Sequence, residues 1–475
     1  MKRFVCASLF SVLAIPVGAQ NTDIEALAGL TFNFRNPGAR SLAMGGAFLG
    51  LADDATAAEA NPAGLTILRL PEVSLELRNH RTDTVVNATG DYPDLETDLF
   101  ITHSQRAEIS FASVVFPGER WALALYYHLP LRLETEINQV WEFDDFNQPV
   151  LRSLPIFFVE RGDPPGSGGA VTRQRCIELQ TEELGSCTGF QINPYLSAVE
   201  VEQETWGAAG AVELGRLSLG AGVRRQTFRQ AALTLRYTPD LVPVEALIQA
   251  TELDDEFEPQ EVDDTTFTAG FKWTLSNALS IGGVFKQGAE YPTGVFQRFV
   301  AEGEVFDEAF PTTFHVPDTA GIGFAWRPAP VLTFVFDGVW VKYSNLTDDF
   351  RSAYPEIAIL DQPYEVEDSW EYHAGIEYFF TTRIPVAIRA GYWLEPAHGL
   401  RYAGPQTCTD PEIAEGDRVL CAANRVRSGI IFPGGRDQDH YSVGIGLAWP
   451  SFQIDAAYDT SDDFKVGSLS AVFRF

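Results

Sequence analysis

Basic residues are scarce in this chain: 34 lysines and arginines stand against 65 aspartates and glutamates, a formal net charge of -31. A surface of that sign repels the phosphate backbone, which excludes nucleic acid as a partner. Long apolar runs are missing too. Beyond the N-terminal leader no stretch approaches the roughly 20 apolar residues of a membrane helix, although 45% of the chain is hydrophobic. Catalytic signatures are absent: there is no His-Glu-x-x-His, no nucleophile elbow and no phosphate-cradling glycine loop, and the 7 histidines are scattered. The best catalytic set is Asp437, Asp439 and His440, an acidic pair beside a histidine of the kind that activates water. A solvated loop end accounts for it more simply. The expectation is a protein that is not an enzyme and needs neither cofactor nor metal.

What the chain does contain is a rhythm. Stretches of about ten residues alternate apolar and polar side chains, as a strand must when one face meets lipid and the other a lumen. Fourteen can be read, at 72–80, 106–116, 120–134, 203–213, 216–236, 265–274, 279–290, 319–327, 331–344, 370–380, 384–395, 440–449, 452–460 and 464–475. The links after the even-numbered stretches are tight: Pro117-Gly118-Glu119, Leu214-Gly215, Ser276-Asn277-Ala278, Pro328-Ala329, Thr381-Thr382-Arg383 and Pro450-Ser451. They carry the Gly, Pro, Asn and Ser that turns need. Most other links are long. Short turns at one end, long loops at the other and an even strand number predict an all-β fold, a 14-stranded antiparallel transmembrane β-barrel with both termini in the periplasm.

Phase supports this reading. Phe452, Ile454, Ala456 and Tyr458 fall on one side and Gln453, Asp455, Ala457 and Asp459 on the other; Trp370, Tyr372, Ala374, Ile376 and Tyr378 likewise oppose Glu371, His373 and Glu377. Trp121, Trp273, Trp326 and Trp449 at strand ends suit aromatic girdles. The acid-rich loop from Glu252 to Asp264 reads as a solvated external face, able to bridge lipopolysaccharide through divalent cations, rather than as a dedicated calcium site.

Lys2 and Arg3 precede an apolar core from Phe4 to Val17, and Val17-Gly18-Ala19 offers small residues for cleavage before Gln20. Residues 1–19 therefore read as a signal peptide that directs export. Cys6 leaves with it. Cys176, Cys187, Cys408 and Cys421 remain as two close pairs, each within one predicted external loop, so oxidising export makes Cys176 with Cys187 and Cys408 with Cys421 the natural disulfides. Metal binding is the rival, but neither pair has zinc-finger spacing and no histidine adjoins either.

Between leader and first strand the chain reads Asn36-Pro37-Gly38-Ala39-Arg40-Ser41-Leu42-Ala43-Met44-Gly45-Gly46-Ala47-Phe48, then Asn61-Pro62-Ala63-Gly64-Leu65. This segment closely resembles the N-terminal plug of the FadL-type outer-membrane transport proteins, in which a short hatch carrying an Asn-Pro-Ala motif sits inside a fourteen-stranded barrel. The chain departs from that pattern at Glu59-Ala60, where relatives often carry an aromatic. A barrel of this size lies between those that side chains fill and those that leave an aqueous channel, so it needs an insert to prevent leakage. The division expected is 20–70 for the hatch and 71–475 for the barrel. Gly45 and Gly46 permit close packing. Pro62 holds Asn61 extended while the Asn61 side chain can bond to backbone. The resemblance makes Asn61, Pro62, Ala63, Gly45 and Gly46 the gating residues; their spacing alone fits a merely rigid plug equally well.

Membership of that family implies passive uptake of hydrophobic small molecules such as long-chain fatty acids or aromatic hydrocarbons, which gain from desolvation in an apolar pocket. Candidate external groove residues are Leu151, Leu154, Ile156, Phe157 and Phe158, with Val295, Phe296, Phe299 and Val300. Arg224, Lys286, Lys342 and Arg389 fall on the lumen phase and are placed to meet a carboxylate head group, or to neutralise Asp337, Glu371, Glu377 and Asp455 across the lumen. Some barrels with similar Arg-Ser-Leu-x-Met-Gly-Gly and Asn-Pro-Ala-Gly segments serve instead in protein secretion or surface attachment. The alternative is thus a scaffold whose partners are secretion-system proteins.

Overall fold

The computed structural model describes residues 34–87, 98–138, 141–143, 149–151, 156–160, 170–171, 187–191, 195–237, 243–251, 260–301, 304–347, 364–399, 401–402 and 434–475. Fourteen antiparallel strands close into a barrel. They are β1 Glu72–Asn87, β2 Asp98–Pro117, β3 Trp121–Asn138, β4 Tyr195–Leu214, β5 Leu217–Tyr237, β6 Val262–Ser276 and β7 Leu279–Lys286. The second half comprises β8 Thr319–Ala329, β9 Leu332–Val341, β10 Ser369–Phe380, β11 Val386–Glu395, β12 Gln438–Ala448, β13 Phe452–Thr460 and β14 Phe464–Arg474. Each pairs with its neighbours in sequence, and the ladder from Glu72↔Arg474 to Thr82↔Phe464 joins β1 to β14. Closure gives every barrel strand a partner on both sides, which is what lets strands stand in hydrocarbon.

The fourteen stretches read from the sequence each fall on one of these strands, and the tight links lie together at one end of the barrel. Outward phase is apolar: Leu123, Leu125, Trp206, Phe267, Trp273, Ile454 and Tyr458 are exposed, while Asp455, Ala457 and Asp459 are buried. Alternation with a period of two is a local property, so it survives from sequence to structure.

Two differences matter for function. The stretch expected to run on to Glu290 ends at Lys286, where Gly288 donates to Asp318 at 2.6 Å and Val316 donates to the Ala289 carbonyl at 2.8 Å. Three further strands, Pro243–Ala250, Glu290–Ala301 and Glu304–His315, then extend the sheet past the long-loop end of β5 and β6. The second difference is a seam. β2 pairs with β1 along its whole length, to Asn87↔Asp98, and β3 pairs with β4 as far as Asn138↔Leu196. β2 and β3 themselves share only the ladder from Phe111↔His128 to Pro117↔Ala122 among the described residues.

β2 carries an extra residue at Ser110 against β1, between Glu76↔Phe111 and Leu77↔Ile109, and β3 is irregular at the same level. Between His128↔Thr205 and Leu131↔Gln203 β3 carries one residue more than β4, a bulge at Leu129-Pro130. Proline has no N–H to give to a ladder, and bulges bend the strand that carries them. Past the bulge Leu131 still packs into the interior. Its neighbour Arg132, on the opposite face, lies 3.8 Å from Glu108 of β2. Beyond the bulge β3 therefore passes inside the line of β2.

Candidate functional site

Residues 36–66 fill the lumen near the short-turn end, almost all of them buried. Asn61 anchors this segment. Its backbone is extended, as the following proline requires, and its side-chain oxygen accepts from the Ala63 N–H at 3.3 Å, starting the 3-10 helix Pro62–Ile67. Its amide nitrogen donates to the Leu49 carbonyl at 3.1 Å and to the Phe271 carbonyl of β6 at 3.0 Å. This approach needs bare backbone in the wall: a Cβ on Gly270 would sit 2.3 Å from the Asn61 oxygen, and one on Gly282 2.0 Å from the Leu49 oxygen.

The wall holds the segment at many other points. Asp337 of β9 accepts from the N–H groups of Phe48 at 2.6 Å and Leu49 at 2.8 Å. Lys272 of β6 donates to the Leu51 and Ala52 carbonyls, and Ser280 of β7 to that of Gly50 at 2.8 Å. His373 of β10 bonds the Gly45 carbonyl at 2.7 Å, and Glu76 of β1 accepts from the Gly38 N–H at 2.8 Å. Gly45 itself has φ +68 and lies against the backbone of β11. A chain of charges, half-buried at Arg327 and buried at Arg389, runs through the same layer. Arg327 meets Asp53 at 3.0 Å, Asp53 meets Arg40 at 2.6 Å, Arg40 meets Glu377 at 3.0 Å, and Arg389 bridges Glu377 and Asp455 at 2.7 Å each. The segment is thus bonded to β1, β6, β7, β9 and β10.

Above the plug, toward the long-loop end, lies a chamber lined by Glu59, His128, Arg224, Lys286, Gln203 and Gln226, with Phe34, Pro130 and Val316. It is small, about 50 Å³, room for a few water-sized groups rather than an acyl chain. Glu59, on the helix Ala57–Ala60, points to it from the plug, 2.9 Å from Lys286, 3.9 Å from Arg224 and 4.0 Å from His128. Burial alone would push the Glu59 carboxyl up, but Lys286, Arg224 and His128 outweigh burial and hold it at about 2. Gln203 donates to Gln226 at 2.6 Å and to the Tyr291 hydroxyl at 2.9 Å. Tyr291 stacks on Phe228 at 4.5 Å, and Phe228 on Phe314 at 4.7 Å. With Leu131, Val199, Val201 and Val316 these rings form an apolar cluster that meets the chamber at Val316.

The residues singled out from sequence separate into groups. Gly45, Gly46, Asn61, Pro62 and Ala63 are buried together in the plug. Arg224 lines the chamber. Arg389 is not there: it is buried in the charge chain, with Glu377 and Asp455 as partners. Phe157 and Phe158 lie on the strand Ile156–Glu160 of a separate three-stranded sheet, and Phe296 and Phe299 on the strand Glu290–Ala301. Cys187 begins the strand Cys187–Gln191, whereas Cys176, Cys408 and Cys421 lie outside the described residues. Asp437, Asp439 and His440 do not assemble: Asp437 accepts from the Ala397 N–H, Asp439 from Tyr392, and His440 is buried between Asp459 at 3.0 Å and Glu395 at 2.9 Å.

Sequence reasoning missed Glu59, His128, Gln203 and Gln226. Polar residues on the lumen phase of adjacent strands were the available signal, together with the acid standing just before the Asn-Pro-Ala motif. The seam had a signal as well, in a proline placed inside an otherwise regular strand.

No family model and no curated protein matches the chain. Solved structures do. A Pseudomonas aeruginosa FadL homologue matches with a TM-score of 0.56 at 14% identity, over 94% of this chain and 99% of that one. The P. putida toluene transporter TodX matches with a TM-score of 0.55 at 12% identity, over 93% and 99%. The CymD monoaromatic hydrocarbon channel matches with a TM-score of 0.54 at 14% identity, over 94% and 99%. The chain shares their fold over that length.

Proposed function

We propose that this protein is a FadL-type channel of the bacterial outer membrane that passively takes up hydrophobic small molecules, such as long-chain fatty acids or aromatic hydrocarbons. One observation carries the reading: a chamber stands on a plug bonded to the wall, directly beside a seam in that wall. Pro130 belongs to both, lining the chamber and forming the bulge where β2 and β3 part. The transporters and hydrocarbon channels that share the fold support the substrate class.

The route follows from what is fixed and what is open. A ligand enters from the long-loop end and reaches the chamber beside the apolar cluster of Phe228, Tyr291 and Phe314. It gains about 25 cal/mol for each Å² of apolar surface removed from water. Passage straight down would require breaking the bonds that Asn61, Asp337 and Lys272 make to or from the plug. Passage sideways between β2 and β3 breaks none of these and delivers the ligand into the membrane. In this reading 1–19 is the export signal, 20–70 the hatch and 71–475 the barrel. Both termini face the periplasm, the long loops meet lipopolysaccharide, and Asn61, Pro62, Ala63, Gly45 and Gly46 keep the floor closed and in position.

The test is uptake of a labelled long-chain fatty acid and a labelled aromatic hydrocarbon by cells with and without the gene. Slower uptake of either compound in the deletion strain is expected. Unchanged uptake of both, with loss of secreted or surface-attached proteins, overturns the channel in favour of a scaffold.

A further inference from the structure

We infer that the chamber selects ligands whose polar head is uncharged and donates a hydrogen bond, an alcohol, phenol or amide, over both carboxylates and plain hydrocarbons. The inference rests on the channel reading and adds the chemistry of the head group. Its basis is the set of buried atoms left without a partner around one small cavity: an oxygen of Glu59 (Oε2), a ring nitrogen of His128 (Nε2) and a nitrogen of Arg224 (Nε). The three residues are 3%, 4% and 7% exposed, so bulk water does not serve them. Buried polar atoms without partners are costly, and a site that leaves them so is complementary to a ligand that supplies the bonds.

The pattern of donors and acceptors then fixes the head group. Arg224 offers an N–H, and an oxygen or carbonyl accepts it. Glu59 is an anion and accepts only, with Lys286 and the Tyr126 hydroxyl as donors on the protein side, so any further bond that a ligand adds to it comes from an O–H or N–H. An alcohol, a phenol or a secondary amide presents a donor and an acceptor within one small group. A carboxylate does not. It would add no bond to Glu59 and set a second negative charge beside it in a poorly solvated space, where like charges repel strongly.

The two cations that could hold a carboxylate already face one, Glu59. Lys286 is in contact with Glu59 at 2.9 Å, and Arg224 gives one terminal nitrogen to the Gln287 carbonyl and lies 3.9 Å from Glu59 through the other. Glu59 thus takes the place that a fatty-acid head group would need. A plain hydrocarbon fits no better, because it satisfies none of the three atoms. The apolar part of the ligand lies against Val316 and Phe34 and extends toward the stacked rings of Phe228, Tyr291 and Phe314.

Three probes of equal chain length separate the possibilities: dodecanol, dodecanoate and dodecane, radiolabelled and equilibrated at neutral pH with the full-length protein in detergent, with protein-free micelles as the partition blank. Dodecanol is expected to bind about tenfold tighter than each of the others, the equivalent of one hydrogen bond to a charged group. Glu59→Gln removes the charge but keeps an acceptor, and is expected to raise dodecanoate binding about tenfold while weakening dodecanol a few-fold, since its bond is no longer made to a charged group. Should Glu59→Gln fail to assemble, the wild-type ranking still decides. Dodecanoate binding as tightly as dodecanol, or equal binding of all three, overturns the inference and leaves the channel standing. Binding of none overturns the channel and the inference with it.

Discussion

The side chain of Asn61 reaches across 210 residues of sequence to donate to the carbonyl of Phe271, 3.0 Å away in the barrel wall. One amide thereby fixes two things, the fold of the plug through Leu49 and Ala63 and its seat on β6. Glu59 stands two residues earlier in the chain, so the same bond sets the floor of the chamber.

Asn61→Ala is expected to slow uptake of apolar compounds while the barrel assembles normally. The change removes a local buried polar contact, about 1–3 kcal/mol, and leaves the strand ladders untouched. Uptake assays paired with heat-modifiable gel mobility check both halves. Unfolded barrel, or full uptake, contradicts the role assigned to Asn61.

Arg389→Ala is expected to destabilise the protein by about 3–5 kcal/mol, because it strips the shared cation from two buried carboxylates. Arg389→Lys falls between, since a single ammonium cannot reproduce the two-pronged contact to Glu377 and Asp455. Urea unfolding of the purified barrel measures this. A transition for Arg389→Ala at the wild-type position would show that the charge chain contributes nothing.

Deleting Pro130 gives β3 the same number of residues as β4 between His128↔Thr205 and Leu131↔Gln203, and restores a regular ladder. The bend of β3 is then expected to be lost while the extra residue of β2 at Ser110 remains, with uptake reduced and assembly intact. Undiminished uptake in a folded deletion variant would mean that ligands leave by another path.

Export and spacing lead to two disulfides, Cys176 with Cys187 and Cys408 with Cys421. Peptide mapping of protein isolated without reductant is expected to find these two links and no crossed ones. Cα separations above about 7 Å in an experimental structure would be incompatible with either bridge.

The sequence by itself determined the barrel. Alternation along Trp370 to Tyr378 or Phe452 to Asp459 depends only on neighbours two residues apart, and the alternation of tight and long links set strand number and direction. It did not reveal the strands Pro243–Ala250, Glu290–Ala301 and Glu304–His315, which extend the sheet past the long-loop end of the barrel.

Tertiary structure decided the site. Glu59 and Lys286 are 227 positions apart, and Arg40 and Glu377 are 337 apart; only the register of a closed barrel brings them together. The sequence placed Arg224 and Arg389 alike on the lumen phase, but height along the barrel put one in the chamber and the other in the charge chain below. A period of two tells which face a residue takes. It carries no information about depth or about the neighbour across the lumen, because those follow from how the strands are staggered when the sheet closes on itself.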